Sequence, residues 1–299
     1  MISVVIPSFN SFGTIEHTLK SLLSQNRINL LSEIIIVDSS DDNQTKQLLS
    51  VYQSEKIKII NGGIKLMPAK TRNLGVKYAK GDILAFIDSD AIAAFDWLEK
   101  IADAYEKGIK VGGGSVLLPE FQKNRILPLT QYFFQCSEFM ESKNIRQKRF
   151  VPTVNMFCER QLFDKIGGFP DIRASEDVLF GLEANRFSSV WFIPQIKVFH
   201  IFRENIKGSI KNQILLGKYI IIYKRLYDKD VFYYKGLWPL LMLPLFLVVK
   251  FCRISLRIFK TNLVYVLKYL FILPFFLLTL FFWSIGFING IFSNMKITE

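Results

Sequence analysis

Asp88 and Asp90 stand on either side of Ser89, where an apolar run stops. That run, Ile83 to Ile87, is five residues long without a polar alternation, the pattern of a strand buried on both faces of a parallel sheet. Open α/β sheets bind their ligands at the carboxyl ends of strands. One divalent cation would relieve the repulsion between two carboxylates at that place, and its other coordination positions suit phosphate oxygens. A solvated turn is the plainer account, since Asp and Ser both favour turns.

Two earlier runs end in the same way. Ile2 to Pro7 leads into Ser8, Phe9, Asn10 and Ser11, and Glu33 to Val37 leads into Asp38, Ser39, Ser40, Asp41 and Asp42. Three polar strand ends along one edge are harder to explain as unrelated turns than any one of them. Further on, Ser175, Glu176 and Asp177 open an amphipathic pattern that continues through Val178, Leu179 and Leu182. Acids in a first helical turn favour the helix dipole, which accounts for them without any catalytic role. His200 follows a strand-like run, Val190 to Val198, and a lone His there needs no function.

The elements that must carry these residues alternate. Apolar spacing predicts helices over Thr14–Gln25, Gln44–Tyr52, Lys70–Ala79 and Phe95–Tyr105, set between strands at Ile2–Pro7, Glu33–Val37, Lys56–Ile60 and Ile83–Ile87. This β-α-β order predicts an α/β fold with a doubly wound, mostly parallel sheet and helices on both faces. Val111–Leu118 reads as a further strand whose three glycines permit a bulge or a close backbone approach. Residues 119–152 read as a long surface loop. Glu159–Ile166 reads as a short helix stopped by Gly167 and Gly168.

The last hundred residues differ in character. Half of the 299 residues are hydrophobic, 28 are Phe, and residues 201–299 hold 10 of the 12 net positive charges. A basic, apolar tail points to an anionic membrane leaflet and not to nucleic acid. Tyr269 to Phe292 is a 24-residue stretch without a charge, longer than the roughly 20 residues a bilayer span needs. Gly236 to Val249 looks too short to span. Lys250, Arg253, Arg257 and Lys260 follow it on one helical face, as on a helix lying along a membrane. The division expected is an α/β domain over 1–204, on the cytosolic side, interfacial helices over 205–268 and a transmembrane helix over 269–292. Three cysteines without CxxC spacing indicate neither a zinc site nor a disulfide framework, and the N-terminus shows no signal-peptide pattern.

The ordered fragments SVVIPSFN, IIIVDSSDD, PAKTRNLG, GDILAFIDSDA, VNMFCERQLFDKIGGF and SEDVLFG resemble family 2 glycosyltransferases of the GT-A fold, from Ile2 to about His200. The resemblance implies inverting transfer of a sugar from a nucleotide-sugar donor, a UDP-sugar, with Mg²⁺ or Mn²⁺ as cofactor. It puts Pro7, Phe9, Asp38, Ser39, Arg72, Asn73, Asp88 and Ser89 on the donor. Asp88 and Asp90 would hold the metal, with His200 as a further contact. Asn155, Gly168 and Glu176 would lie on the acceptor side, and Asp177 would be the catalytic base. Ser39 stands where many members have a second Asp, and Lys70 where a small residue is common. The QxxRW motif of processive synthases is absent after His200, which implies transfer of one sugar at a time. A membrane anchor would bring the site to a lipid-linked or cell-surface glycan acceptor.

Two other classes share some of these features. A phosphatase of the haloacid dehalogenase type also follows a strand with DxD. It usually has Thr two residues after the second Asp, where Ile92 stands here, and its strand lies near the N-terminus. A non-catalytic scaffold could keep the fold and bind nucleotide sugars, although intact Asp88, Asp90 and Asp177 argue against it.

Overall fold

The structure is a computed structural model describing residues 1–63, 66–228 and 230–293. It divides into two units, one of Met1–Leu117 with Phe139–Ile201 and the other of Leu118–Glu138 with Phe202–Glu299.

The first unit is built on one sheet. Its strands are β1 (Ile2–Ser8), β2 (Leu31–Asp38), β3 (Ile57–Asn61), β4 (Ile83–Ile87), β5 (Ala91–Ala93), β6 (Val111–Leu117), β7 (Arg146–Lys148), β8 (Asn155–Glu159) and β9 (Val190–His200). The order is β3-β2-β1-β4-β8-β6-β9-β5, with β7 beside β9. The first four strands of that order are parallel, as the alternating pattern predicts. The rest is mixed: β8 runs antiparallel to β4 and β6, and β5 and β7 antiparallel to β9. All five residues of β4 are buried, which is why its sequence carries no alternation.

The sheet must curl. β4 and β5 are joined by only Asp88, Ser89 and Asp90, yet three strands separate them in the order. Three linking residues reach roughly 10–14 Å at most, so the edge strand β5 returns close to β4. The acidic loop is the link that closes the curl. β5 then pairs with the end of β9, setting Ala91 opposite His200.

The helices of this unit are α1 (Ile15–Leu23), α2 (Asn43–Tyr52), α3 (Pro68–Tyr78), α4 (Trp97–Glu106), α6 (Arg160–Ile166) and α7 (Glu176–Ala184). α3 comes close to β1 and β2 because Gly75 has no side chain; a Cβ there would lie 2.5 Å from a Val5 methyl. Between β6 and β9 the register shifts at Gly114/Ser115, where the three glycines fall. A Cβ on Gly114 would sit 1.9 Å from the Ile196 carbonyl oxygen.

The second unit holds α5 (Ile126–Cys136), α8 (Ile206–Tyr227), α9 (Trp238–Phe259) and α10 (Leu263–Ile291). α5 corrects the expectation of a long loop over 119–152, as does β7. Pro128 to Phe134 are all buried, so α5 is covered around most of its circumference and lacks the exposed polar face that marks an amphipathic helix. Phe133 meets Tyr265 and Tyr269, and Phe134 meets Phe276, at ring separations of 5.3–6.0 Å. α8 and α10 touch backbone to backbone: a Cβ on Gly217 would lie 2.0 Å from the Trp283 carbonyl oxygen, and one on Gly286 2.0 Å from that of Ile214. Small residues permit such close crossings.

α9 also differs from expectation. The sequence divides at Lys250, but the structure has one 22-residue helix through that point and through Pro244. The Lys250 ammonium lies over the rings of Phe134 and Trp283, which accommodates a charge on an otherwise apolar helix. Both α9 and α10 are long and apolar enough to cross a membrane.

Candidate functional site

The carboxyl ends of β1, β2 and β4 carry the polar residues, as parallel strands require. At the end of β2, Asp38 is buried, and its Oδ1 accepts from the hydroxyls of Ser8 at 2.7 Å and Ser40 at 2.6 Å. Ser8 also shares a hydrogen bond with Ser11, and the Asn10 N–H donates to Ser40. Asn10 has φ +50°, the left-handed region that Asn tolerates better than most residues. Ser39 is buried, and its N–H donates to the Ser8 carbonyl. Pro7 and Phe9 are half-buried beside this clasp. The two hydroxyls fix one Asp38 oxygen.

Asp88, Ser89 and Asp90 are half-buried in the link between β4 and β5. The Ala91 N–H donates to the Asp88 carbonyl and the Ile201 N–H to the Asp90 carbonyl, so the loop is held by the β5–β9 ladder. The same ladder brings His200 Nε2 to 3.3 Å from Asp90 Oδ1. Asp88, Asp90 and His200 can each offer one ligand atom with all three atoms within 4.8 Å of one another. Two carboxylates and an imidazole form a hard, mixed O/N donor set that suits Mg²⁺ or Mn²⁺, the imidazole favouring the transition metal.

Arg72 ties this loop to the acids downstream. Its residue lies on the buried face of α3 with Ala69, Gly75 and Val76. One guanidinium nitrogen donates to Asp88 Oδ1 at 2.5 Å, and another to Glu176 Oε1 at 2.8 Å. Burial works against the Arg72 charge, but Asp88 and Glu176 outweigh it and hold the group above its ordinary range. Burial pushes the Glu176 carboxyl up, with Arg72 opposing. Asp177, the next residue, is half-buried, and its carboxyl is pushed up to about 7, first by burial and then by the neighbouring Glu176 charge.

The start of α7 is held by a chain of contacts. α6 ends at Gly167 (φ +88°), followed by Gly168 (φ +82°), a pair that reverses the chain. Asn73 on α3 receives this turn: its Nδ2 donates to the Phe169 carbonyl at 2.7 Å, and its Oδ1 accepts from the Phe169 N–H at 2.9 Å. Phe169 packs on Phe86 of β4, Phe163 of α6 and Phe180 of α7. Ser175 then enters α7 at φ +71°, a conformation unfavourable for a residue with a side chain.

Two expected site residues have other work. Asn73 spends its amide on the Phe169 backbone and positions the Gly167-Gly168-Phe169 turn. Asn155 is fully enclosed: Oδ1 accepts from the Trp97 indole at 2.9 Å, and Nδ2 donates to the carbonyls of Ser115 and Ile196. At the shifted register it ties β6 and β9 together. Lys70, a departure from the family pattern, pairs with Asp171 at 2.9 Å. The Ser8–Asp38–Ser40 clasp and the Arg72 bridge were not foreseen. Ser8 was already visible at a strand end, but nothing local in the sequence marks which acid an arginine one hundred residues away will meet.

A curled α/β sheet carries an acidic loop at a parallel strand end, beside a buried arginine and a pair of acids. That is the GT-A architecture. The chain belongs to the family described as Glycosyl transferase family 2, whose profile matches residues 3–167, more than half of its length. It is 24% identical over 173 residues to the glycosyltransferase AglE of Haloferax volcanii, covering 57% of this chain and 56% of that one. It is 27% identical over 229 residues to the uncharacterized glycosyltransferase EpsJ of Bacillus subtilis, covering 69% and 61% respectively. The chain thus spans little more than half the length of these curated relatives. Among solved structures it resembles the mannosyltransferase PcManGT of Pyrobaculum calidifontis in complex with GDP-Man and Mn²⁺. The TM-score is 0.66 at 13% identity, covering 98% of this chain and 88% of that one. It also resembles S. aureus TarS 1-349 in complex with UDP, with a TM-score of 0.54 at 19% identity over 92% and 70%.

Proposed function

We propose that this chain moves one sugar at a time, with inversion, from a UDP-sugar to a lipid-linked or cell-surface glycan acceptor, and that Asp177 is its general base. The observation carrying this reading is the Arg72 bridge. A single guanidinium holds the acid at the end of β4 and the acid that opens α7, so the donor-side loop and the candidate base share one electrostatic unit.

In this reading the base and ribose lie along Pro7, Phe9, Asp38 and Ser39, with Asp38 oriented by the Ser8 and Ser40 hydroxyls. Asp88, Asp90 and His200 would hold a divalent cation, which when bound offsets the charge of a departing diphosphate. Arg72 restrains the Asp88 carboxylate and keeps Glu176 from collapsing onto the loop. Asp177 takes the proton of the acceptor hydroxyl, a poor nucleophile until that proton leaves. Its raised pKa lets it ionise near neutrality while remaining basic enough to accept a proton. Glu176 is engaged by Arg72, which leaves the proton to Asp177. The acidic loop after β4, the matched family and relatives that include an E. coli UDP-Glc-dependent glucosyltransferase, 30% identical over 99 residues, support this reading.

The reading assigns catalysis to the region 1–204, apart from Leu118–Glu138, which falls in the second unit, with helices over 205–268, a span over 269–292 and α9 a second candidate span. We place the catalytic face on the cytosolic side, where nucleotide sugars are made. A thermal-shift series of the full chain with UDP or GDP, with and without Mn²⁺ or Mg²⁺, tests the donor and metal together. The expected result is stabilisation by UDP that requires the cation and survives Asp177→Asn. Stabilisation unchanged by Asp90→Asn or by omission of the cation would overturn the metal assignment.

A further inference from the structure

The second unit contains a narrow slot between α5, α8 and α10. It is a small, open-mouthed slot of about 50 Å³, lined by Leu127, Ile206, Ile210, Phe275, Leu278 and Phe282, together with Thr130, Gln131, Ser209, Gln213 and Thr279. Among the described residues, no charged side chain lines it. Phe275, Leu278 and Ile206 are themselves 41%, 51% and 63% exposed, so the slot opens onto the bare apolar face of α10.

Its polar residues are unusual. Gln131, Ser209 and Gln213 are each more than nine-tenths buried. Gln131 spends its Nε2 on the carbonyls of Leu127 and Arg203, but its Oε1 has no hydrogen-bond partner among the described residues. The Ser209 hydroxyl and both polar atoms of Gln213 lack partners as well. Buried polar groups are normally satisfied, so several unmet ones lining one slot call for a missing partner. The unmet atoms define that partner's chemistry. Two amide oxygens need a donor, and an amide N–H needs an acceptor. A hydroxyl supplies both. A phosphodiester supplies no donor and would bring a charge into a slot without a counter-charge.

We infer that this slot binds a neutral hydroxyl-bearing lipid. Only the hydroxyl end enters, to meet Gln131, Ser209 and Gln213, while the alkyl chain lies along the exposed α10 face at Phe275, Leu278 and Phe282. The inference rests on the membrane reading of α10 and is separate from the nucleotide-sugar reading of the first unit. The slot lies within the second unit alone.

The test uses the purified full chain in detergent, photolabelled with a diazirine-bearing long-chain alcohol and, in parallel, with the matching alkyl phosphate. The alcohol should label peptides of α5 and α8, and the phosphate should not. Gln213→Leu should lower that labelling about tenfold, the effect of losing one buried hydrogen-bonding group. Leu278→Trp, a change at a half-exposed position, should block entry without touching the polar end. Equal labelling by the two probes, labelling unchanged in both variants, or no labelling because water fills the slot would each overturn the inference. UDP binding with Mn²⁺, measured on the same samples, keeps the two readings apart. A wild-type chain that binds nucleotide but is not labelled by the alcohol sinks the slot alone, and one that is labelled but binds no nucleotide sinks the transferase reading alone.

Discussion

A carboxylate that accepts a proton at neutral pH must keep its pKa near that pH, and Asp177 does so at a cost to the fold. Its folded-state pKa of about 7 lies above the ordinary value of 3.8. Between those values the folded chain keeps a proton that the unfolded chain has released, so the linkage makes stability fall as pH rises from about 4 to about 7. Above the folded value the loss is complete. Asp177→Asn removes this dependence. In denaturant titrations the variant should be the more stable protein above pH 7, by about 1–2 kcal/mol, the full shift being reduced because water reaches the half-buried carboxylate. Turnover should move the other way. Wild-type kcat should rise through pH 7 as the base ionises, and the variant should lose roughly 10²–10⁴-fold. A variant that keeps wild-type turnover removes Asp177 from the mechanism.

The base is only as well placed as the turn before its helix, and Gly167 and Gly168 let that be measured. Both have positive φ, so alanine at either should cost about 1 kcal/mol in backbone strain. Only Gly168 is crowded: its Cβ would lie 2.8 Å from Asn73 Oδ1, whereas nothing lies within 4 Å at Gly167. Gly168→Ala should therefore be the more destabilising by chemical denaturation and should lower kcat more than nucleotide affinity, because it displaces Phe169 and the start of α7. Equal effects at the two positions would show that Asn73 does not set the turn. The strands that carry Asp38 and Asp88 were legible because burial on both faces writes continuous apolar runs, and the turn was legible from its glycine pair. The contacts that fix the turn were not, because Asn73 and Phe169 are 96 residues apart and an amide gives no sign of which backbone it will hold. β5 is three residues long and exists only because β9 pairs with it. α5 escaped notice because a helix buried on nearly every side shows no period, and α9 was cut at Lys250 because sequence alone cannot show the Phe134 and Trp283 rings that receive its charge.

At the scale of the molecule, the chain order makes the two units hard to separate. The second unit is not a simple tail: Leu118–Glu138 lies in the middle of the sequence, and the first unit resumes at Phe139. A truncation after Ile201 would leave α5 behind with its partners gone. Tyr132, Phe133 and Phe134 are almost wholly buried, and they pack against rings of α10, Phe133 on Tyr265 and Tyr269 and Phe134 on Phe276. Burying such a side chain is worth about 1.5–3 kcal/mol, and three of them exposed together make an adhesive surface on the remaining protein. Residues 1–201 alone should therefore aggregate on size-exclusion chromatography even though every residue of the sheet is present. Replacing 118–138 with a short Gly/Ser linker in the same truncation should restore a monodisperse species that still binds UDP in the presence of Mn²⁺, because the acidic loop, Arg72 and α7 all belong to the first unit. If the simple truncation is already monodisperse, α5 does not depend on α10 for its cover. If the linker version folds but binds no nucleotide, the first unit does not hold the donor site by itself.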